Sequence, residues 1–325
     1  MTHRALCELL VASCVPDGGI YRFALYESGD IKQLQKIPMP SPMFFRVSGD
    51  RLWTILREPF AGSHDSGLAA YDLNSGKRLT DVISTRGAVA CHLTVDGECV
   101  YVANYTGGSV FSLPDTLDQH IGQGTNPKRQ ETPHPHSVFL SPDKKYVLSC
   151  DLGLDTIFVY DRHLCEISRA SVPDGSGARH LTFSNDGRYV YCLNELFATV
   201  SIFAYQNGSL TYLDSVAISP DIPSGQGKGA AIKLTKDGRY LYVTERTLGI
   251  IALFEVHGER LDLVTHFDSY GTEPRDFALV ANEAFAICTN QFSNSMSVYK
   301  KEDDSSLVYL FSVSIPAPLC VEEIV

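Results

Sequence analysis

Imidazoles at His92, His136 and His180, guanidinium groups at Arg179, Arg246 and Arg275, the Lys228 ammonium and the Glu195 carboxylate stand near matching points of a repeated phrase. Such a set can take a proton from water through an imidazole or carboxylate. It can also grip an anion through forked guanidinium hydrogen bonds. His136 lies in Pro133-His134-Pro135-His136-Ser137, where two prolines stiffen the chain ahead of it. Glu195 and Arg246 break the repeat, since other copies place different residues there, and that marks them for function. Asn104, Asn194 and Asn290 stand at equivalent strand ends, where an amide either caps a turn or reaches a ligand. His134 and His136 alternate on an extended chain, as two zinc ligands would, but no third ligand accompanies them. A calcium site on Glu195 and the Asn side chains is a further, weaker alternative. No metal or other cofactor is expected.

The elements that hold these residues come from the repeat itself. Its clearest copy is Gly177-Ala178-Arg179-His180-Leu181-Thr182-Phe183-Ser184-Asn185-Asp186-Gly187-Arg188-Tyr189-Val190-Tyr191-Cys192-Leu193-Asn194-Glu195. Aligned on the start of the first apolar run, copies fall at Arg46, His92, His136, His180, Ala231 and Asp276, at intervals of 46, 44, 44, 51 and 45 residues. That period fits propeller blades or helical solenoids. The runs Tyr189–Leu193 and Tyr240–Val243 are β-branched, aromatic and short, and Thr199–Tyr205 alternates with period two, so they read as strands. Asp186-Gly187 and Asp237-Gly238 supply the glycine of a tight hairpin. Each copy therefore predicts four antiparallel strands, at about 180–184, 189–194, 199–205 and 210–217 in the clearest one. Four-stranded sheets set radially make a β-propeller.

Before the first full copy, Glu8–Ser13, Gly19–Tyr26 and Gln33–Ile37 match the second, third and fourth strands of a blade. The missing inner strand is supplied by Leu319–Ile324. The expectation is an all-β, seven-bladed propeller of one domain spanning 1–325, closed by its C-terminal strand.

Composition narrows the function. The hydrophobic content of 44% is ample for a core, and no run reaches the roughly 20 apolar residues of a membrane helix. The 6–15 run contains Glu8 and aligns with later blades, so it reads as a strand and not as a leader. Nine scattered cysteines without a Cys-x-x-Cys pair fit buried thiols in a reducing, cytoplasmic setting. A net charge of −11 argues against nucleic acid and anionic membranes. It leaves room for a small anionic substrate, because a local cluster can oppose the global sign. The longest irregular stretch is 113–133, an elaborated loop. Oligomeric state is left open.

In an antiparallel meander the start of the first strand and the end of the second share one edge. Around a ring, that edge becomes one mouth. It gathers His92, His136, Arg179, His180, Lys228 and Arg275 from the first strands, and Asn104, Asp151, Asn194, Glu195, Glu245, Arg246 and Asn290 from the second.

Five phrases then carry a family likeness: His-Ser-Val-Phe-Leu-Ser-Pro-Asp (136–143), Gly-Ala-Arg-His-Leu-Thr-Phe (177–183), Tyr-Cys-Leu-Asn-Glu-Leu (191–196), Asp-Gly-Arg-Tyr-Leu-Tyr-Val-Thr-Glu-Arg (237–246) and Glu-Pro-Arg-Asp-Phe (273–277). The chain resembles the seven-bladed propeller lactonase family, which holds bacterial propeller-type 6-phosphogluconolactonases and fungal carboxy-cis,cis-muconate cyclases. The resemblance implies a catalytic set of His136, Arg179, Glu195 and Arg246. It departs from the family pattern at Gly227-Lys228-Gly229-Ala230, where some relatives carry an Arg-Trp pair. The expected reaction is hydrolysis of a sugar lactone, with 6-phosphoglucono-δ-lactone first. Glu195 or His136 would be the base, and Arg179 and Arg246 the oxyanion donors. Lys228, Arg275 and His92 would hold phosphate or hydroxyls, and His180, Asn104 and Asn194 complete the binding set. Two alternatives stand beside it: a cyclase that forms a lactone from an unsaturated dicarboxylate, and a non-catalytic propeller that binds protein or carbohydrate.

Overall fold

Seven four-stranded antiparallel sheets make up the chain. The structure is a computed structural model that describes residues 5–223 and 225–324. The inner strands, in blade order, are Pro318–Ile324, Pro42–Ser48, Ala90–Asp96, Pro135–Leu140, Ala178–Phe183, Gly229–Leu234 and Pro274–Val280. Each touches the inner strands of both neighbouring blades, so the seven close a ring around a tunnel. The first blade combines both ends of the sequence. Pro318–Ile324 pairs antiparallel with Ala5–Ser13, as Val11↔Val321 and Leu10↔Glu322. This joins the sheet edges that an open ring would leave exposed.

The fifth blade shows how sequence makes a sheet. Its strands are Ala178–Phe183, Tyr189–Asn194, Thr199–Gln206 and Ser209–Ala217. The second strand reads Tyr-Val-Tyr-Cys-Leu-Asn, and beyond Tyr189 it is buried on both faces between blades. The outermost strand is largely exposed, with Leu210 its one buried residue. Between the first two strands, Gly187 turns at a φ of 69°, a conformation that other residues adopt with strain.

Adjacent blades are locked by tyrosines. Tyr101, Tyr191 and Tyr242 lie on the second strands, and their rings are fully buried. Each hydroxyl donates to a turn carbonyl of the next blade: Arg162 (2.9 Å), Gly258 (2.8 Å) and Ser305 (2.5 Å). A buried tyrosine needs such a partner for its polar tip, and here the partner lies across the blade boundary.

Asparagines provide a second latch. Asn290 Nδ2 donates to the Ser269 carbonyl of the preceding blade (3.0 Å) and to Ser297 Oγ (2.9 Å). Asn104 makes the corresponding bonds to the Thr85 carbonyl and Ser109 Oγ. Gly271 packs against the Asn290 amide, and a Cβ there would lie 2.4 Å from Asn290 Cγ.

The outer strand of the third blade, Thr116–Gln119, lies inside the stretch expected to be loop. The irregular segment is therefore shorter, about 121–134. Asp151 clasps both its ends, accepting from the His120 ring (2.5 Å) and from the His134 backbone N–H (2.8 Å).

Candidate active site

Every inner strand begins with a break in register against its neighbour. The residues left out of the pairing are Leu319, Met43, Cys91, His136, Arg179, Ala230 with Ala231, and Arg275. An extra residue on one strand re-aims its side chain. Six of these seven blades thus send a side chain into the tunnel mouth or the space just beneath it. The residue just ahead of the strand takes a left-handed turn in five blades, at Ala317, Ser41, Val89, Gly177 and Glu273.

These bulges correct one reading of the repeat. His92, His136 and His180 were expected to be register-equivalent. The pairing instead makes His136 equivalent to Cys91, Arg179 and Arg275, while His92 and His180 match Ser137 and Asp276.

The mouth is a cavity of about 340 Å³ whose lining includes Cys91, Tyr105, Arg129, His136, Glu195 and Arg246. Arg57, Lys228 and Arg275 add further positive charge, and Glu273 is the second carboxylate. A larger groove of about 640 Å³ lies on the outer part of the fifth blade. Its one charged lining residue, Arg188, is already paired with Asp186 (2.6 Å), so no chemistry converges there.

Glu195 is the centre of the mouth. It is 4% exposed and sits one residue past the end of its strand. Its Oε1 accepts from Arg129 Nη2 (2.7 Å). Its Oε2 meets Arg179 Nε at 3.0 Å and Arg246 Nη2 at 3.1 Å. Burial acts to raise its pKa, but the Arg246, Arg179 and Arg129 charges outweigh burial and hold the carboxyl well below its usual range. Arg246 is further tied to Glu273 (2.7 Å) and to the Lys228 carbonyl (2.9 Å). Arg179 is 2% exposed, and its Nη1 has no hydrogen-bond partner among the described residues.

His136 Nε2 stands 3.8 Å from Glu195 Oε2. Burial first, then the Arg179 charge, pushes its pKa well below 6.5, so its imidazole is neutral at pH 7. Cys91 Sγ donates to the His136 carbonyl (3.1 Å). Burial pushes that thiol up to about 12, which leaves too little thiolate for a nucleophile.

The structure brings His136, Arg179, Glu195 and Arg246 together, with Lys228 and Arg275 beside them. It does not bring the other expected binding residues to the cavity. Asn104 and Asn194 are fully buried, and their amides point into the sheet. Asn194 Nδ2 donates to Thr199 Oγ1 and Ser201 Oγ. His92 and His180 lie deeper along the tunnel, ring against ring at 5.2 Å. His92 packs between Phe44 and Phe139 and accepts the Val138 N–H (3.3 Å). His134 stacks on Tyr105 at 4.5 Å, with its Nδ1 3.0 Å from the Tyr105 carbonyl oxygen.

The lining residues that were not anticipated include Arg57, Tyr105, Arg129 and Glu273. Glu273 was visible in the Glu-Pro-Arg phrase beside Arg275. Arg129 carried no signal, because it lies in the irregular segment outside the repeat. Its placement depends on Gln130, fully buried, whose Nε2 donates to the Leu152 carbonyl (2.8 Å).

Comparison with known proteins agrees with this fold. Residues 8–323 match the family model described as Lactonase, 7-bladed beta-propeller. The chain is 32% identical to the 6-phosphogluconolactonase of Bacillus subtilis, with 94% of each chain covered. The solved structure of a periplasmic gluconolactonase from Pseudomonas aeruginosa superposes with a TM-score of 0.89 at 27% identity, covering 98% of this chain and 99% of that one. A Lactobacillus plantarum protein of known structure matches equally well, with a TM-score of 0.89, 27% identity and the same coverage.

Proposed function

This chain belongs to the seven-bladed β-propeller lactonase family, and from that premise we propose that it hydrolyses an anionic sugar lactone, 6-phosphoglucono-δ-lactone first among them. The observation that carries the reading is the pairing of a neutral imidazole with a free guanidinium N–H. His136 is uncharged at pH 7, and Arg179 Nη1 is buried beside it with no partner among the described residues.

His136 takes a proton from water, and the water oxygen attacks the ring carbonyl carbon. The carbonyl oxygen becomes an oxyanion, met by Arg179 Nη1. A preorganised donor of this kind acts on charge that develops in the transition state. The tetrahedral intermediate then expels the ring oxygen. That oxygen takes back the proton from the His136 imidazolium, leaving a hydroxy acid. Glu195 serves a different end from the expected base. Its two oxygens are committed to three arginines, so neither is free to meet the proton of an attacking water. It keeps Arg129, Arg179 and Arg246 together at one point. Arg57, Lys228 and Arg275 supply the seat for the distal anionic group, which a phosphate fits by charge and by bidentate geometry.

The test is ring opening followed by NMR, with phosphorylated and unphosphorylated δ-lactone and correction for spontaneous hydrolysis. We expect turnover with a preference for the phosphorylated ring. His136→Asn is expected to lower kcat by about 10²–10⁴. Rates equal with and without protein would remove the hydrolytic reading.

A further inference from the structure

Beneath the mouth lies a second space of about 20 Å³, bounded by Cys91, His136, Arg179, His180, Arg275 and Asp276 among others. That volume admits one particle of roughly the size of a water molecule. The two guanidinium groups on its wall are short of acceptors. Arg179 spends its Nε on Glu195 at 3.0 Å, and its Nη1 has no partner among the described residues. Arg275 has a single distant carboxylate, Glu273 at 3.9 Å. Asp276, the carboxylate on the chamber wall, is engaged elsewhere: it accepts the Phe277 N–H (2.9 Å) and the Val321 N–H (3.0 Å).

A buried donor without a partner costs about 1–3 kcal/mol, and more when it is charged. Two neighbouring guanidinium groups add mutual repulsion. The titratable groups around the chamber respond accordingly. Burial comes first, and the surrounding positive charge then adds to it, lowering the pKa of His136 and of His180. The same two causes lower Arg179 and Arg275.

We propose that the chamber is a binding site for a monatomic monovalent anion of the chloride class, held between Arg179 Nη1 and the Arg275 guanidinium. Polyatomic oxyanions are too large for it. The ion adds negative charge at a part of the arginine cluster that Glu195 and Glu273 leave uncompensated. It occupies the Nη1 that would otherwise meet a substrate oxygen, so it must leave, or shift, for that oxygen to enter.

Chloride itself is the probe. Crystals grown with sodium chloride, measured at a long wavelength where chlorine scatters anomalously, are expected to show a peak between Arg179 and Arg275. Thermal melts in sodium chloride are expected to lie roughly 2 °C above melts in sodium methanesulfonate at equal ionic strength. Cys91→Met fills the chamber, and Arg275→Gln removes one donor; each is expected to abolish the shift. No anomalous peak in wild-type crystals, with equal melts in the two salts, overturns the proposal. A shift that persists undiminished in both variants overturns it as well. Should either variant fail to fold, the two wild-type measurements decide. Both read binding, so a protein without lactonase activity still answers the question.

Discussion

A single carboxylate, Glu195, holds three guanidinium groups that would repel one another without it. Glu195→Gln keeps the shape and removes the charge. Breaking a buried ion cluster in this way is expected to destabilise the fold by about 3–5 kcal/mol at pH 7. The pH dependence has a definite sign. The folded pKa of Glu195 is depressed, so its contribution is complete above the unfolded value of about 4.3 and is lost as pH falls through the folded value. Urea denaturation at pH 7 and pH 3 is expected to show a smaller gap between wild type and variant at the lower pH. The histidines behave in the opposite sense to a paired histidine. His92, His136 and His180 all have depressed pKa values, with burial as the first cause. Each is neutral when folded and takes up a proton when unfolded below about pH 6.5. Stability is therefore lost as pH falls through that value. His180→Phe is expected to reduce the loss between pH 7.5 and 5.5 by about 1.4 kcal/mol, measured by denaturant midpoints at both pH values.

At the scale of the element, the strand and its bulge divide the labour. Strands, hairpin glycines and blade boundaries were legible because alternation and Asp-Gly turns repeat with the blade. The bulge was not, because one unpaired residue leaves no trace in a period-two pattern. It is why His92 and His180 were grouped with His136 when the pairing places Cys91, Arg179 and Arg275 there instead. The same limit explains the asparagines. Their recurrence was plain, but recurrence alone does not tell a latch from a ligand. The Asn290 latch is testable. Gly271→Ala puts a methyl group against the Asn290 amide, at 2.4 Å from Cγ before relaxation. A loss of about 1–3 kcal/mol is expected from overpacking, read from chemical denaturation. Asn290→Ala is expected to lose less, about 0.5–1.5 kcal/mol, because the Ser269 carbonyl still accepts from Ser297 Oγ at 2.7 Å. Arg129 was out of reach for a different reason. A loop outside the repeat has no second copy to align with, and its course is set by Asp151 and Gln130 through contacts that only the folded chain shows.

For the whole molecule, closure and charge matter most. The ring closes through seven residues, Pro318–Ile324, which contribute the innermost strand of a blade otherwise made by the first part of the chain. Ending the chain at Ile315 removes that strand and exposes the edge of Ala5–Ser13. Loss of the cooperative thermal transition, together with association through the bare edge, is the expected outcome by calorimetry and light scattering. The charge distribution is equally global. The chain carries −11, yet the mouth lining has Arg57, Arg129, Lys228, Arg246 and Arg275 against Glu195 and Glu273. A cationic funnel in an acidic body raises local anion concentration and weakens as salt screens it. For a phosphorylated lactone, kcat/KM is therefore expected to fall as sodium methanesulfonate is added, with little change for the unphosphorylated ring.

The bulges have a consequence for how such a mouth can diversify. Because the unpaired residue at each strand start takes no part in the ladder, its identity is free of the hydrogen bonds that hold the sheet. Met43 and Leu319 occupy two of these places with hydrocarbon, and the others hold a thiol, an imidazole, two guanidinium groups and the alanines. One letter per blade is thus an independent address on the same wheel. Exchanging Met43 or Leu319 for an amide would rewrite the pocket's selectivity without breaking a ladder hydrogen bond.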